Sequence, residues 1–276
     1  VPASRDVLLI AKARAIYALL GNPVAGGQVM PISKRIGMLN PHAWCISPEG
    51  VIYFMSYDGL YMMAGASAMP QPLLRDIDPQ LLPDPDTETG TLVYDQYAEG
   101  IHIFNVESNN TVADYFFHIP TASLWPVSMP EAMRMRSIGG AAAVETTALA
   151  GSRVWIGCKD GYLRRFDTAA STDDGTTLSS YVTMGPIRLG DALSDGRIDS
   201  LDAVLGNGSG AVSWEMRTGK DGYSAYSAAS AVASGSFAAG RNVKARPRVG
   251  GNAAMLKLSS TAIWFSARVG LRMPNA

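Results

Sequence analysis

The stretch Val51-Ile52-Tyr53-Phe54-Met55-Ser56-Tyr57-Asp58-Gly59-Leu60-Tyr61-Met62-Met63 reads as two short apolar strands joined at Tyr57-Asp58-Gly59. Asp-Gly supplies the positive φ that a tight hairpin needs. The aromatic and β-branched residues around it are those that strands prefer. Three other segments repeat the pattern. Val7-Leu8-Leu9-Ile10 leads through Lys12-Ala13-Arg14 to Ile16-Tyr17-Ala18-Leu19. Leu92-Val93-Tyr94 leads through Tyr97-Ala98-Glu99-Gly100 to Ile101-His102-Ile103-Phe104. Val154-Trp155-Ile156 leads through Lys159-Asp160-Gly161 to Tyr162-Leu163-Arg164-Arg165-Phe166. Their first residues, at 7, 51, 92 and 154, are 44, 41 and 62 apart, and the long interval holds a further hairpin, 101–106 with 115–119, about Glu107-Ser108-Asn109-Asn110.

A period of roughly 40–50 residues with several short strands per unit is the signature of propeller blades. One blade cannot bury both of its faces alone, so blades stack. The expected fold is therefore all-β, with β-propeller-like blades over 1–177 and a C-terminal all-β module over 178–276. A β-sandwich with similar hairpins is the alternative. Four repeats fall short of a common propeller, so the remaining blades are expected upstream or from a partner. The opening Val1-Pro2-Ala3-Ser4-Arg5-Asp6 lacks an initiator Met and enters a strand almost at once, as a processed product or a fragment would. In the second module Tyr181–Leu189 reads as a strand with a bend. Strands are also expected at 200–205, 211–217, 253–258 and 263–269, with an Ala/Ser/Gly-rich loop or edge over 223–240. The one helical spacing, Leu73, Leu74, Ile77 and Leu81 after Pro72, is cut short by Pro79 and predicts a single short turn.

The 276 residues are 47% hydrophobic and 17% charged, with a net charge of −1, which excludes a wholly disordered chain. No apolar run approaches the roughly 20 residues of a membrane-spanning helix. Charge is unevenly placed. Between Gln71 and Glu131 ten acids face one base, Arg75, whereas after Asp221 there are no acids and seven bases: Arg241, Lys244, Arg246, Arg248, Lys257, Arg268 and Arg272. Such a tail suits an acidic neighbour, a phosphate backbone or simply solvent. Arg241, Lys244, Arg246 and Arg248 are the candidate inter-subunit or DNA-facing residues, and docking on an acidic neighbour is the favoured expectation.

Catalytic signatures are sparse. His42, His102 and His118 form no His-Glu-x-x-His pair, and His102 and His118 could meet only if the hairpin register allowed it. Cys45 and Cys158 make neither a disulfide framework nor a four-ligand zinc site and read as buried thiols. Gly206-Asn207-Gly208-Ser209-Gly210 lacks the Gly-Lys-Ser/Thr ending of a phosphate cradle and reads as a turn. Asp84-Pro85-Asp86-Thr87-Glu88, with Asp95 at the twelfth place, echoes a calcium loop whose glycine is one place late. Ser171-Thr172-Asp173-Asp174-Gly175-Thr176-Thr177 resembles the Asp-box turn of sialidase-type propellers, without its following aromatic. No cofactor or metal is expected, and no catalytic residue is assigned.

Tyr94-Asp95-Gln96-Tyr97, Gly100-Ile101-His102-Ile103-Phe104, Tyr115-Phe116-Phe117 and Leu124-Trp125-Pro126-Val127 resemble a run found in tailed-phage virion proteins. So does Ile36-Gly37-Met38-Leu39-Asn40-Pro41-His42 ahead of Gly50–Tyr61. The likeness, over about residues 7–190, is to the propeller-bearing tail hub, nozzle or packaged-DNA stabilisation proteins of short-tailed bacteriophages. It implies a non-enzymatic ring component below the portal, made in the host cytoplasm and resident in the virion tail. Such a protein would be homo-oligomeric, with a hexamer favoured. It would contact other tail and portal-adaptor proteins, and double-stranded DNA would pass transiently through its channel. Two alternatives stand beside it: a propeller enzyme acting on glycans through acids such as Asp95 and Glu99, and a cellular propeller-type binding module.

Overall fold

Alternation of apolar side chains along short strands sorts this chain into small antiparallel sheets, each with two faces to cover. The structure, a computed structural model, describes residues 1–4, 6–74, 88–107, 114–136, 140–146, 149–167, 170, 172–177, 179–191, 194–206, 209–242, 244–261 and 266–272. The chain divides into two units, Val1–Thr168 and Ala169–Ala276. The division falls slightly ahead of the boundary expected from the sequence, so the 172–177 hairpin belongs with the second unit.

Four sheets follow one another in the first unit. The first holds β1 (Pro2–Ser4), β2 (Val7–Lys12), β3 (Ala15–Leu20) and β4 (Gln28–Ser33). The second holds β5 (Trp44–Ile46), β6 (Ile52–Ser56), β7 (Gly59–Met63) and β8 (Gln71–Pro72). The third holds β9 (Glu88–Asp95), β10 (Gly100–Glu107), β11 (Asp114–His118) and β12 (Ser123–Val127). The fourth holds β13 (Ala141–Thr146), β14 (Leu149–Gly157) and β15 (Leu163–Arg165). Within each sheet the strands are neighbours in chain order.

Period-2 alternation then decides the stacking. On β6, Ile52 and Phe54 join Leu9, Ile16 and Ala18 of the first sheet. Their neighbours Tyr53 and Met55 point the other way, toward Leu92, Ile101, Ile103 and Phe117 of the third. The third sheet turns Val93 and Phe104 toward Val154, Ile156 and Cys158 of the fourth. Every residue of β6 is buried, which a strand with one solvated face does not show. Backbone ties accompany the packing: Leu92 N–H donates to His42 O at 3.1 Å, and the Asn40 side-chain amide donates to Gly90 O at 2.9 Å. These sheets are propeller-like blades, four-stranded meanders (three-stranded in the last) stacked face to face.

The blades correct the repeat alignment. The pairs read at 7, 51 and 154 are the second and third strands of their sheets, but the pair read at 92 is the first and second strands of its own. Aligned on second strands, the repeats start at Val7, Ile52, Gly100 and Leu149, spacings of 45, 48 and 49. The long interval was a slip of one strand. The helical turn expected from Gln71 is also corrected at its start: Gln71–Pro72 is an edge strand paired with Tyr61 and Met62. Leu73 and Leu74 continue from it against the core between the second and third sheets, and residues 75–82, with Asp84 and Asp86 of the calcium-like pattern, lie outside the described residues.

The second unit contains β16 (Thr172–Asp173), β17 (Thr176–Thr177), β18 (Ser180–Arg188), β19 (Gly196–Ile198), β20 (Ser200–Leu205) and β21 (Val212–Gly219). After them come α1 (Gly222–Ser227), β22 (Ala233–Phe237), β23 (Gly240–Arg241), β24 (Val249–Gly251), β25 (Ala253–Ser260) and β26 (Ser266–Arg272). One sheet runs β18-β25-β21-β22 and another β23-β20-β26, with β19 paired to β24. Leu201, Ala203 and Leu205 meet Val212, Trp214, Met216, Leu256 and Leu258 in one core, which is sheet-on-sheet packing.

The expected bend in the strand at 181–189 is a register shift between Met184 and Ile187. The Asp-box-like segment closes as a two-residue hairpin with Asp174 at φ 48° and Gly175 at φ 85°, the left-handed pair that Asp-Gly favours. The segment 223–240, expected as loop or edge, does hold the edge strand β22, but it opens with α1. Asp221 caps this helix: its side chain accepts from Ser224 N–H at 2.7 Å, and Ser224 Oγ accepts from Asp221 N–H at 3.0 Å. Ala225 packs beneath with Ala253 and Met255.

Candidate functional site

The four candidate basic residues sit on one ribbon of the second unit. Arg241 pairs with Val204, Asn242 N–H donates to Ala203 O, Ala245 bridges Leu201, and Val249 pairs with Ile198. Residues 240–242 and 244–251 therefore run antiparallel beside 196–205. Between the Ala245 and Val249 pairings the basic strand carries three residues against two on its partner, Asp199 and Ser200. Such an extra residue makes a β-bulge, and Arg248 takes it up at φ 51°. Lys244, Arg246 and Arg248 are exposed, Ala245 and Pro247 half-buried, and Val249 buried. Exposure alternates straight through the bulge, with Lys244, Arg246 and Arg248 outward and Val249 in the core.

Among the described residues, no ion pair or side-chain hydrogen bond engages Arg241, Lys244, Arg246 or Arg248. Arg197, on the facing strand, pairs with Asp199 at 3.1 Å. Asp202 is exposed on β20. Backbone register sets Arg268 opposite Val204 and Arg272 opposite Ser200. The first unit is different: there Arg134 meets Asp114, Lys159 meets Glu131, Arg164 meets Asp160 and Arg165 meets Asp167.

A second feature is apolar. Among the described residues of the first unit, the first and fourth blades each have one sheet neighbour in the stack, and each shows exposed apolar side chains on its other side. On the first, Leu8, Ile10 and Val29 are 43%, 39% and 58% exposed, in register with Leu19 and Tyr17. On the fourth, Val144 and Leu163 are 41% and 66% exposed. They flank a concavity of 470 Å³ floored by Gly140, Ala141, Ala142 and Gly157 and walled by Trp155. The buried Trp155 indole N–H has no hydrogen-bond partner among the described residues.

The acids proposed for glycan chemistry do not form an open pair. Asp95 is buried, and its Oδ1 accepts from Tyr97 N–H at 2.9 Å and Ala98 N–H at 3.1 Å, capping the β9–β10 turn. Its Oδ2 lies 3.3 Å from His102 Nε2. A carboxylate only accepts, so Nε2 carries the proton, and the buried His102 Nδ1 has no partner among the described residues. Burial alone would raise the Asp95 carboxyl. The His102 hydrogen bond, the Ala98 amide, the His102 charge and the Tyr97 amide together outweigh it and hold it below its ordinary value. Glu99, by contrast, is exposed in the turn at φ 51°. Asp95, the last position of the calcium-like pattern, is therefore committed to its own turn, and the described residues hold no cluster of three or more metal-binding side chains.

Nor do the histidines meet. Register pairs His102 with Phe116 and Gly100 with His118. Both rings share a face, but Phe116 stands between them, 4.8 Å from the first and 6.4 Å from the second. His102 is boxed by Phe104, Phe116 and Phe166, while His118 Nδ1 sits 2.7 Å from Thr121 Oγ1 at the surface. Cys45 and Cys158 are both buried and free, and burial pushes the Cys45 thiol far up.

Sequence reasoning found the basic residues but not their common side, which depends on the pairing with 196–205. It passed over the open blade faces, although Leu8 and Ile10 already alternate with Leu9. No protein-family model and no curated protein matches the chain. Eight solved chains do. One is the WD40 domain of SCAP from fission yeast, 12% identical with a TM-score of 0.29, matched over 71% of this chain and 45% of that one. The match therefore spans less than half the length of that WD40 structure.

Proposed function

We propose that this chain is a structural component of a short-tailed bacteriophage tail, a hub or nozzle ring subunit that assembles with copies of itself into a channel for genome retention and passage. The open apolar faces at the two ends of the blade stack carry this reading. Inside the chain, three successive sheet pairs bury the same kind of alternating face. The outer faces of the first and fourth blades continue that pattern into solvent.

A second copy of this chain fits them: Leu8, Ile10 and Val29 of one copy would enter the Gly- and Ala-floored concavity of the next. A face four strands wide and six residues long covers on the order of 400 Å² from strand spacing and rise. Each contact joins one face from each copy and so buries about 800 Å² in total, at the small end for a specific interface, and a ring gives every copy two such contacts. Contact between unlike faces is heterologous and gives a ring where the rotation between copies closes, the form of the hexamer that the phage resemblance implies. Portal-adaptor and other tail proteins are the expected neighbours of such a ring. Negative-stain electron microscopy of the purified protein tests this: rings support it, and a monodisperse monomer at micromolar concentration overturns it.

A further inference from the structure

We propose that the ribbon formed by residues 240–251 and 196–205 is a binding face for the phosphate backbone of double-stranded DNA, with Arg241, Lys244, Arg246 and Arg248 as its contacts. The proposal deepens the reading of the chain as a DNA-passage component, yet it can be tested without assembly. Lys244, Arg246 and Arg248 are all exposed on a segment whose intervening residues turn inward. On an extended strand, alternate residues recur about every 7 Å, close to two phosphate rises along one strand of a duplex. None of the four is spent on an internal acid among the described residues. The acids on the ribbon are Asp199, held by Arg197, and Asp202.

The chemistry favours nucleic acid over an acidic protein. Protein interfaces concentrate their binding in buried apolar and aromatic anchors, and the one large apolar side chain exposed on β20 is Val204. A polar, strongly positive face built from arginines, whose planar fork matches phosphate, is what nucleic-acid interfaces present. Such contacts read charge rather than base edges, so the binding is independent of sequence and steep in salt. That property lets DNA slide past.

The test is fluorescence anisotropy of the full chain with a labelled 30-base-pair duplex, titrated between about 50 and 300 mM KCl. Wild type should bind, with log K falling linearly in log salt, by about 0.9 per phosphate contacted. The triple variant Lys244→Ala, Arg246→Ala, Arg248→Ala should shrink that slope by roughly 2 to 3. The charge-retaining double variant Arg246→Lys, Arg248→Lys should keep it. Circular dichroism confirms that both fold. Wild type that fails to bind at the lowest salt, or an alanine variant with an unaltered slope, overturns the proposal. So does displacement of the duplex by polyglutamate at equal charge concentration, which would point to an acidic protein partner. Mass photometry of the same samples reports assembly separately, so a chain that binds DNA as a monomer sinks the ring reading and leaves this one standing.

Discussion

His102 Nε2 and Asp95 Oδ2 lie 3.3 Å apart in the interior of the blade stack, the histidine stacked on Phe104 and the aspartate tied to the turn at Tyr97 and Ala98. The pair fixes the β9–β10 hairpin rather than offering a reactive group. Its charge state nevertheless ties stability to pH.

Asp95 is held below its ordinary carboxyl value in the fold. Its contribution is therefore present above the unfolded carboxyl value of about 3.9 and is lost as the pH falls through the lower folded value. Asp114 shifts the other way, raised by burial in spite of the Asn105 amide and Arg134. The folded state takes up its proton first on acidification, so Asp114 opposes the loss. Urea unfolding from pH 7 to 2.5 should show the blade unit weakening below about pH 4. Asp95→Asn should cost about 2 kcal/mol at pH 7, as for a hydrogen bond to a charged group, and flatten the acid limb. Asp114→Asn should steepen it; an acid limb unchanged in both variants would contradict these assignments.

Phe54 and Met55 are adjacent on β6 and serve different cores, with Phe54 against the first blade and Met55 against the third. Truncating either opens a cavity. Phe54→Ala should cost about 3–5 kcal/mol and Met55→Ala about 2–5 kcal/mol in chemical denaturation. A surface-like change of under about 0.5 kcal/mol at either position would mean that β6 has a solvated side.

Helix α1 depends on its cap. Asp221→Ala removes the acceptor for Ser224 N–H and should destabilise the second unit by about 1 kcal/mol, whereas Asp221→Asn, whose amide oxygen still accepts, should keep most of the stability. Hydrogen exchange at Ser224 and Ala225 should accelerate in the alanine variant. Unchanged protection there would show that Ala225 packing, not the cap, holds the helix.

The blades were legible because their signals are local: Asp58-Gly59 and Asp160-Gly161 mark turns, and alternation marks faces. The third repeat slipped because β9 and β10 are as apolar as a central pair and meet in an equally polar turn, so nothing local marks β9 as a first strand. Only its neighbours, Asn40 and His42 of the preceding blade, identify it. Helix α1 is six residues of Gly, Tyr, Ser and Ala with no apolar stripe. Its legible signal was Asp221 three places before Ser224. Lys244, Arg246 and Arg248 stand at alternate positions, but that the segment is extended, and so gives them a common side, shows only once its pairing with 196–205 is known.

End-to-end stacking of blade units is tested most directly by cysteine cross-linking. Leu8→Cys and Leu163→Cys are made in separate preparations, where both native cysteines are buried and silent. Oxidised alone, each should stay uncross-linked, since the contact joins unlike faces. Mixed and oxidised, they should give a disulfide-linked heterodimer on a non-reducing gel. A mixture that yields no heterodimer while rings are present, or cross-links that form equally well within each single preparation, would contradict the stacking.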